Sequence, residues 1–261
     1  MTVTLDQQPA PPAARETGSV PIYEARNISK RYGNMQALTR VNFRVNRKEV
    51  IGLLGDNGAG KSTMIKMMSG IVRPDSGEIL VDGVPIRVES RADSERIGIE
   101  TIYQDIALVD PMSITRNIFM GREITNRFGF MRHREMERQA VQVLDSAVHI
   151  SGIDDPDKEV GFLSGGQKQA VAIARAVYFK RRMLLLDEPT SALSVRETER
   201  LLEYVARLKH EDVSSVLVTH NIYHAFMVCD RFVVMSHGTP VFEARKEETT
   251  MQEVTDHVIR T

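Results

Sequence analysis

The amino-acid sequence predicts an α/β domain built on a mostly parallel sheet with both faces covered. Two observations carry this. Short apolar runs recur at 183–187 (MLLLD), 215–219 (SVLVT) and 232–235 (FVVM), with helical segments between them. Upstream, the apolar run VIGLL (50–54) enters a glycine-rich loop that is followed by the helix-like TMIKMMSG. At 261 residues the chain is long enough for one large domain, or one domain with a subdomain.

The elements follow in order. Residues 1 to about 20 are rich in Pro, Ala and Gln, with Pro9, Pro11 and Pro12 close together, and are expected to form a disordered tail before a domain over 21–261. A strand-rich stretch follows, in which Val41, Phe43 and Val45 alternate with polar residues. PDSGE (74–78) is turn chemistry, EILVDG (78–83) reads as strand and turn, and IETIY (99–103) as a strand. From about 105 to 180 the periodicity is helical, with MRHREMER (131–138) a solvated helix face. Met251, Val254 and Val258, at helical spacing, are expected to dock a last helix on the core.

Composition narrows the classes. Hydrophobic residues make up 42% and charged residues 26%, ordinary for a globular domain. The 34 Lys and Arg balance 35 Asp and Glu, without the basic excess of a nucleic-acid binder, so no nucleic-acid partner is expected. Cys229 is the only cysteine, which excludes an internal disulfide and fits a reducing compartment; a buried apolar role is expected for it. No apolar stretch approaches the ~20 residues of a membrane span, and no basic-then-apolar leader is visible. Work at a membrane would go through a partner.

Chemistry enters at residues 55–63. GDNGAGKST matches the phosphate-binding loop G-x-x-x-x-G-K-[ST]. The backbone of Gly55, Asp56, Asn57, Gly58, Ala59, Gly60, Lys61, Ser62 and Thr63 can curl its N–H groups toward phosphate oxygens. Lys61 places a cation beside the β/γ-phosphates, and the Ser62 hydroxyl can ligate Mg²⁺. MLLLDEP ends its strand on Asp187 and Glu188. In enzymes with such a loop, an Asp there holds Mg²⁺ and a carboxylate beside it can orient or deprotonate water. ATP and Mg²⁺ are the expected ligand and metal.

LSGGQ (Leu163, Ser164, Gly165, Gly166, Gln167) lies between the loop and the acidic strand. Five specified positions in that order arise by chance in only roughly a few chains per ten thousand. With this motif the chain resembles the ATP-binding cassette ATPases from about residue 22 onward. The resemblance implies the P-loop cassette fold: a mostly parallel core sheet, an antiparallel β subdomain and a helical subdomain at about 105–180. It implies that Tyr32 in SKRYG stacks adenine, that Gln104 reaches Mg²⁺ or the lytic water, and that Asp187 holds the metal. Glu188 would act on water and His220 in VTHN would contact the γ-phosphate. LSGGQ opens the helix QKQAVAIARAVYF, whose N-terminus favours an anion. The resemblance makes that anion the γ-phosphate bound to a second subunit, so a head-to-tail homodimer is implied.

IGIETIYQDIALVDPMSITRNIFMGREI, LSGGQKQAVAIARA and CDRFVVMSHG narrow the likeness to the ATPases of bacterial ribose-, xylose- and fructose-type importers. Ala170 stands where many other cassettes place an Arg. This implies transmembrane permease partners, an indirect sugar-binding protein and a peripheral place on the cytoplasmic face of the inner membrane. The rival from another class is a soluble cassette of repair or translation, which would show a coiled-coil insert or a second cassette with a basic linker. The D-loop SALS (191–194) ends in Ser194 where Asp is common, a departure that touches the contact across the dimer.

Overall fold

The computed structural model describes residues 20–103, 107–145, 155–179, 181–191 and 193–260. The expected tail and Gln104 lie outside the described residues. The chain opens with β1 (Tyr23–Tyr32), β2 (Met35–Val45) and β3 (Val50–Leu54), then α1 (Lys61–Met68), β4 (Ser76–Val81) and β5 (Val84–Ile86). Next come α2 (Arg91–Arg96), β6 (Ile99–Ile102), α3 (Ile114–Phe119), α4 (His133–Val143) and α5 (Gly165–Tyr178). The last third holds β7 (Met183–Asp187), α6 (Val195–Leu208), β8 (Ser214–Val218), α7 (Ile222–Val228), β9 (Arg231–Ser236), β10 (Thr239–Arg245) and α8 (Met251–Ile259).

A sheet in the order β10-β9-β3-β8-β7-β6 forms the core. Its pairings are parallel except for the antiparallel hairpin of β9 and β10. Alternation along each strand sends residues to opposite faces, and both faces are covered. Val50 and Leu54 of β3, Leu184 and Leu186 of β7, and Phe232 and Val234 of β9 pack under the helices. Ile51 and Leu53, Met183 and Leu185, and Val233 and Met235 face the other way, toward α1 and a second sheet. That antiparallel sheet, β2-β1-β4-β5, supplies Tyr23, Ile28, Val41, Phe43 and Val45 to the same cluster. The layers are helices, parallel sheet, then α1 beneath the antiparallel sheet.

Several sequence expectations shift by a residue or a face. β8 begins at Ser214 and leaves Thr219 outside, and β6 stops before Tyr103. In α8, Val254 is fully buried and Val258 packs against the core, but Met251 is exposed because it opens the helix ahead of the docked face. The charged 131–138 stretch enters α4, where Met136 is buried and His133 and Arg134 face solvent. Cys229 is buried, and burial pushes its thiol well above the ordinary value.

The two sheets are tied by Arg231. Its guanidinium donates through Nε and Nη2 to Glu49, through Nη1 to Glu243 at 2.6 Å, and through Nη2 to the carbonyl of Arg44 at 2.8 Å. Burial pushes the Glu49 carboxyl up, but the hydrogen bonds and charge of Arg231, helped by Asn46, outweigh it and hold the carboxyl below its ordinary value. A depressed carboxylate adds stability above its unfolded-state pKa, and that stability is lost as pH falls through the folded value. Arg231→Met leaves Glu49 buried without its counter-ion and should cost about 3–5 kcal/mol near neutral pH. Urea unfolding across pH should show the gap between variant and wild type narrowing in acid, as Glu49 takes up a proton; a gap that stays constant would contradict this account.

Candidate active site

β3 delivers the chain into the loop at 55–60, and α1 begins at Lys61 with Gly60 as its N-cap at φ 105°. Only glycine fits at the two ends of the loop. At Gly55, φ is 135° and an added Cβ would stand 2.2 Å from the carbonyl oxygen of Met235; at Gly60 it would stand 2.8 Å from that of Ala37. The neighbours pressing on the loop are thus β9 and β2. The turn after β9 supports it too, since Gly238 N–H donates to the Ala59 carbonyl at 3.0 Å. The first amides of a helix have no intrahelical acceptor. Among the described residues the N–H groups of Gly58, Gly60, Lys61 and Ser62 meet no backbone carbonyl, which leaves a row of donors suited to phosphate oxygens.

Lys61 is buried. Its Nζ donates to the carbonyls of Gly55 at 2.7 Å and Asp56 at 2.9 Å, so the ammonium holds the loop's shape. Burial lowers its pKa, against the attraction of Glu188, Asp56 and Asp187. Across from it, burial raises the Asp187 carboxyl, the adjacent Glu188 charge raises it further, and Lys61 and Lys66 pull the other way. The carboxylate charge here is only partly compensated by the two lysines, which suits an added cation.

Glu188 is held in an uncommon backbone conformation. Its φ is 49°, which costs about 1–3 kcal/mol for a residue with a side chain. Its N–H donates to the Val218 carbonyl at 2.9 Å, and its own carbonyl accepts from the Ser191 hydroxyl at 3.0 Å. Glu188 Oε2 is buried and accepts no hydrogen bond among the described residues. His220 Nδ1 lies 3.0 Å from that oxygen, close enough for an ion pair when the ring is protonated but not aligned as a hydrogen bond. An unsatisfied carboxylate oxygen here can accept a proton or a hydrogen bond from a water molecule.

Beside His220, Asn221 caps α7, and His224 links Asn221 to Thr190 through contacts of 3.2 Å. Asn221 was not among the expected site residues, although Asn just ahead of a helical segment is a common helix-start residue. Tyr32 sits at the end of β1, two-fifths exposed, with Lys30 Nζ 5.7 Å from its ring centroid.

Lys61, Asp187, Glu188 and His220 thus meet where β3, β7 and β8 end. LSGGQ is placed elsewhere. Leu163 is buried, Ser164 caps α5 in a capping box with Gln167, and Gly165 and Gly166 form the first turn. The Ser164 hydroxyl donates to Glu197 Oε1 at 2.7 Å. Glu197 belongs to a second capping box with Ser194. Glu197 was not among the expected site residues, although S-x-x-E at 194–197 was there to be read as a helix start.

The model of the family described as ABC transporter matches residues 38–191. The chain belongs to this family. Among relatives, the xylose/arabinose import ATP-binding protein of Sulfolobus acidocaldarius is 44% identical over 235 residues, spanning 90% of this chain and 92% of its own length. The fructose import ATP-binding protein of Rhizobium meliloti is 40% identical over 239 residues, or 89% of this chain and 92% of its own. Among solved structures, an ATP-binding cassette in a dimeric post-hydrolysis state, bound to ADP and Pi, superposes with a TM-score of 0.73 at 25% identity, covering 86% of this chain and 98% of that one. The ABC transporter family binds ATP and ADP, and the α/β cassette fold expected from the sequence is the one observed. No helix among the described residues is long and apolar enough to cross a membrane.

The close packing behind the loop gives a direct expectation. Gly55→Ala forces the loop away from β9, with strain of at least about 1–3 kcal/mol. The variant should keep its overall circular dichroism but lose most of its affinity for a fluorescent ATP analogue. Retained wild-type affinity would show that this tight turn is not needed for phosphate binding.

Proposed function

We infer that this chain is the ATP-binding and ATP-hydrolysing subunit of a sugar importer, and that two copies close head to tail over two ATP molecules. The import reading rests on relatives named for xylose/arabinose, fructose and ribose import. The single observation that carries the dimer is that the phosphate loop opens α1 while LSGGQ opens a different helix, α5, of the same cassette. A dimeric solved cassette at 25% identity supports a dimer.

In this reading Tyr32 stacks on adenine, and the amides of residues 55–63 cradle the phosphates. Lys61 faces the β/γ-phosphates. Ser62, Asp187 and Gln104 would hold Mg²⁺, which when bound would supply positive charge against the phosphate oxygens. Glu188, with its buried free oxygen, orients the attacking water and draws on its proton. His220 approaches the γ-phosphate from the end of β8. LSGGQ of the facing subunit, residues 163–167, closes the far side of the γ-phosphate with Ser164 and the first amides of α5. Residues from about 105 to 180 act as the helical subdomain. They pass closure and opening to a transmembrane permease fed by a sugar-binding protein, from a peripheral position on the cytoplasmic face of the inner membrane.

Glu188→Gln keeps the shape of the side chain and removes the base. Hydrolysis should stop, and size-exclusion chromatography should show a monomer without nucleotide and with ADP but a dimer with ATP. Hydrolysis at the wild-type rate would remove Glu188 from the catalytic role. Ser164→Arg should block turnover while leaving ATP binding to the monomer intact. An unchanged ATPase rate in that variant would argue against action across a dimer.

A further inference from the structure

Serine's hydroxyl carries one proton to donate. In this structure Ser164 spends it on Glu197 Oε1, at 2.7 Å. The same carboxylate lies against the backbone of Gly166, so it occupies the anion-favouring start of α5. The fit is close: a Cβ added to Gly166 would lie 2.7 Å from Glu197 Cγ and 2.8 Å from Oε1. The carboxylate's other oxygen, Oε2, accepts from Ser194 N at 3.0 Å and from Ser194 Oγ at 2.8 Å, and so closes the capping box of α6.

From this geometry, and resting on the reading that LSGGQ serves a nucleotide held by a facing subunit, we propose that Glu197 is a built-in occupant of the signature's anion site that ATP must displace. A γ-phosphate and a carboxylate compete for the same donors and repel each other, so both cannot sit at Ser164 and Gly166. The division of labour between the two oxygens makes displacement local. Releasing Oε1 frees the signature while Oε2 keeps α6 capped through Ser194. Hydrogen bonds from Ser164 and Ser194 hold the carboxyl near a pKa of about 2, so the occupant stays charged through the physiological range. Ser194, which replaces the commoner D-loop Asp, is thereby tied to the signature through a single side chain. The device sets the ATP level needed for closure and keeps empty or ADP-bound subunits apart.

The test uses the full chain carrying Glu188→Gln, so that ATP persists, and titrates dimer formation against ATP by analytical ultracentrifugation. Adding Glu197→Gln removes the charge but leaves an acceptor for the α6 cap; adding Glu197→Ala removes both. Each double variant should reach half-dimer at an ATP concentration lower by about tenfold. Binding of a fluorescent ATP analogue to the monomer should not change. Thermal melts separate a structural role: Glu197→Gln should melt near the parent, and Glu197→Ala below it. A midpoint that stays put or rises in both double variants overturns the proposal, because Glu197 would then be indifferent or helpful to closure. Ser164→Arg in the Glu188→Gln background is the control for the reading beneath it. If that variant still dimerises with ATP, or if Glu188→Gln never dimerises, the trans signature itself fails and takes the proposal with it. If Ser164→Arg abolishes dimerisation and only the Glu197 midpoints fail to move, the signature stands and Glu197 alone is misassigned.

Discussion

The parallel ladder through β3, β8 and β7 sets the phosphate end of the molecule. Leu53 pairs with Val218, and Val218 pairs with Asp187, so the three strands end at one level. The residues that follow therefore emerge side by side: the glycine loop from β3, Glu188 from β7, and His220 from β8. Parallel strands gather groups this way because every chain crosses the sheet in the same direction and leaves it at the same edge. Glu188 adds one more rung through its N–H to Val218. That rung and the Ser191 contact hold a backbone that would otherwise relax. Shifting β7 by one residue against β8 would move Asp187 out of line with the loop and separate the carboxylates from Lys61.

Much of the core could be read from local pattern. β7 matches the apolar run at 183–187, and the alternation of Val41, Phe43 and Val45 is the buried face of β2. The phosphate loop was readable because backbone curvature and a cation require particular residue types at fixed spacing. The antiparallel sheet was another matter. β1 pairs with β2 through several register shifts between Ala25 and Arg31, which blur the period-two signal. β9 was legible as the apolar run at 232–235, but its hairpin partner β10 has no fully buried residue to mark it, and the short helix α2 begun by Ser90 carries too few residues for periodicity. Met251 shows the limit in reverse, since helical spacing alone did not say which member of a stripe begins the helix.

At the site, residue types pointed to Lys61, Asp187 and Glu188, whereas their electrostatic balance is a property of the fold. Asp187 is raised because burial and Glu188 act together, and Lys61 is lowered because burial outweighs the attraction of Glu188, Asp56 and Asp187. The bond from Ser164 to Glu197 spans 33 residues of sequence. No local pattern encodes it, because it depends on how α5 and α6 come together. The capping box at Ser194 was visible as a helix start; its second use, as a link between two helix N-termini, needed the packing.

Cys229 has a practical consequence. The only thiol in the chain is 1% exposed, lies beneath β3 and β9, and is pushed by burial toward its unreactive protonated form. A cysteine introduced anywhere on the surface would thus be the sole site open to a maleimide probe, with no need to rebuild a native position. One label per subunit, placed near α5 or near the glycine loop, makes each approach of two identical chains readable as a distance between two identical reporters.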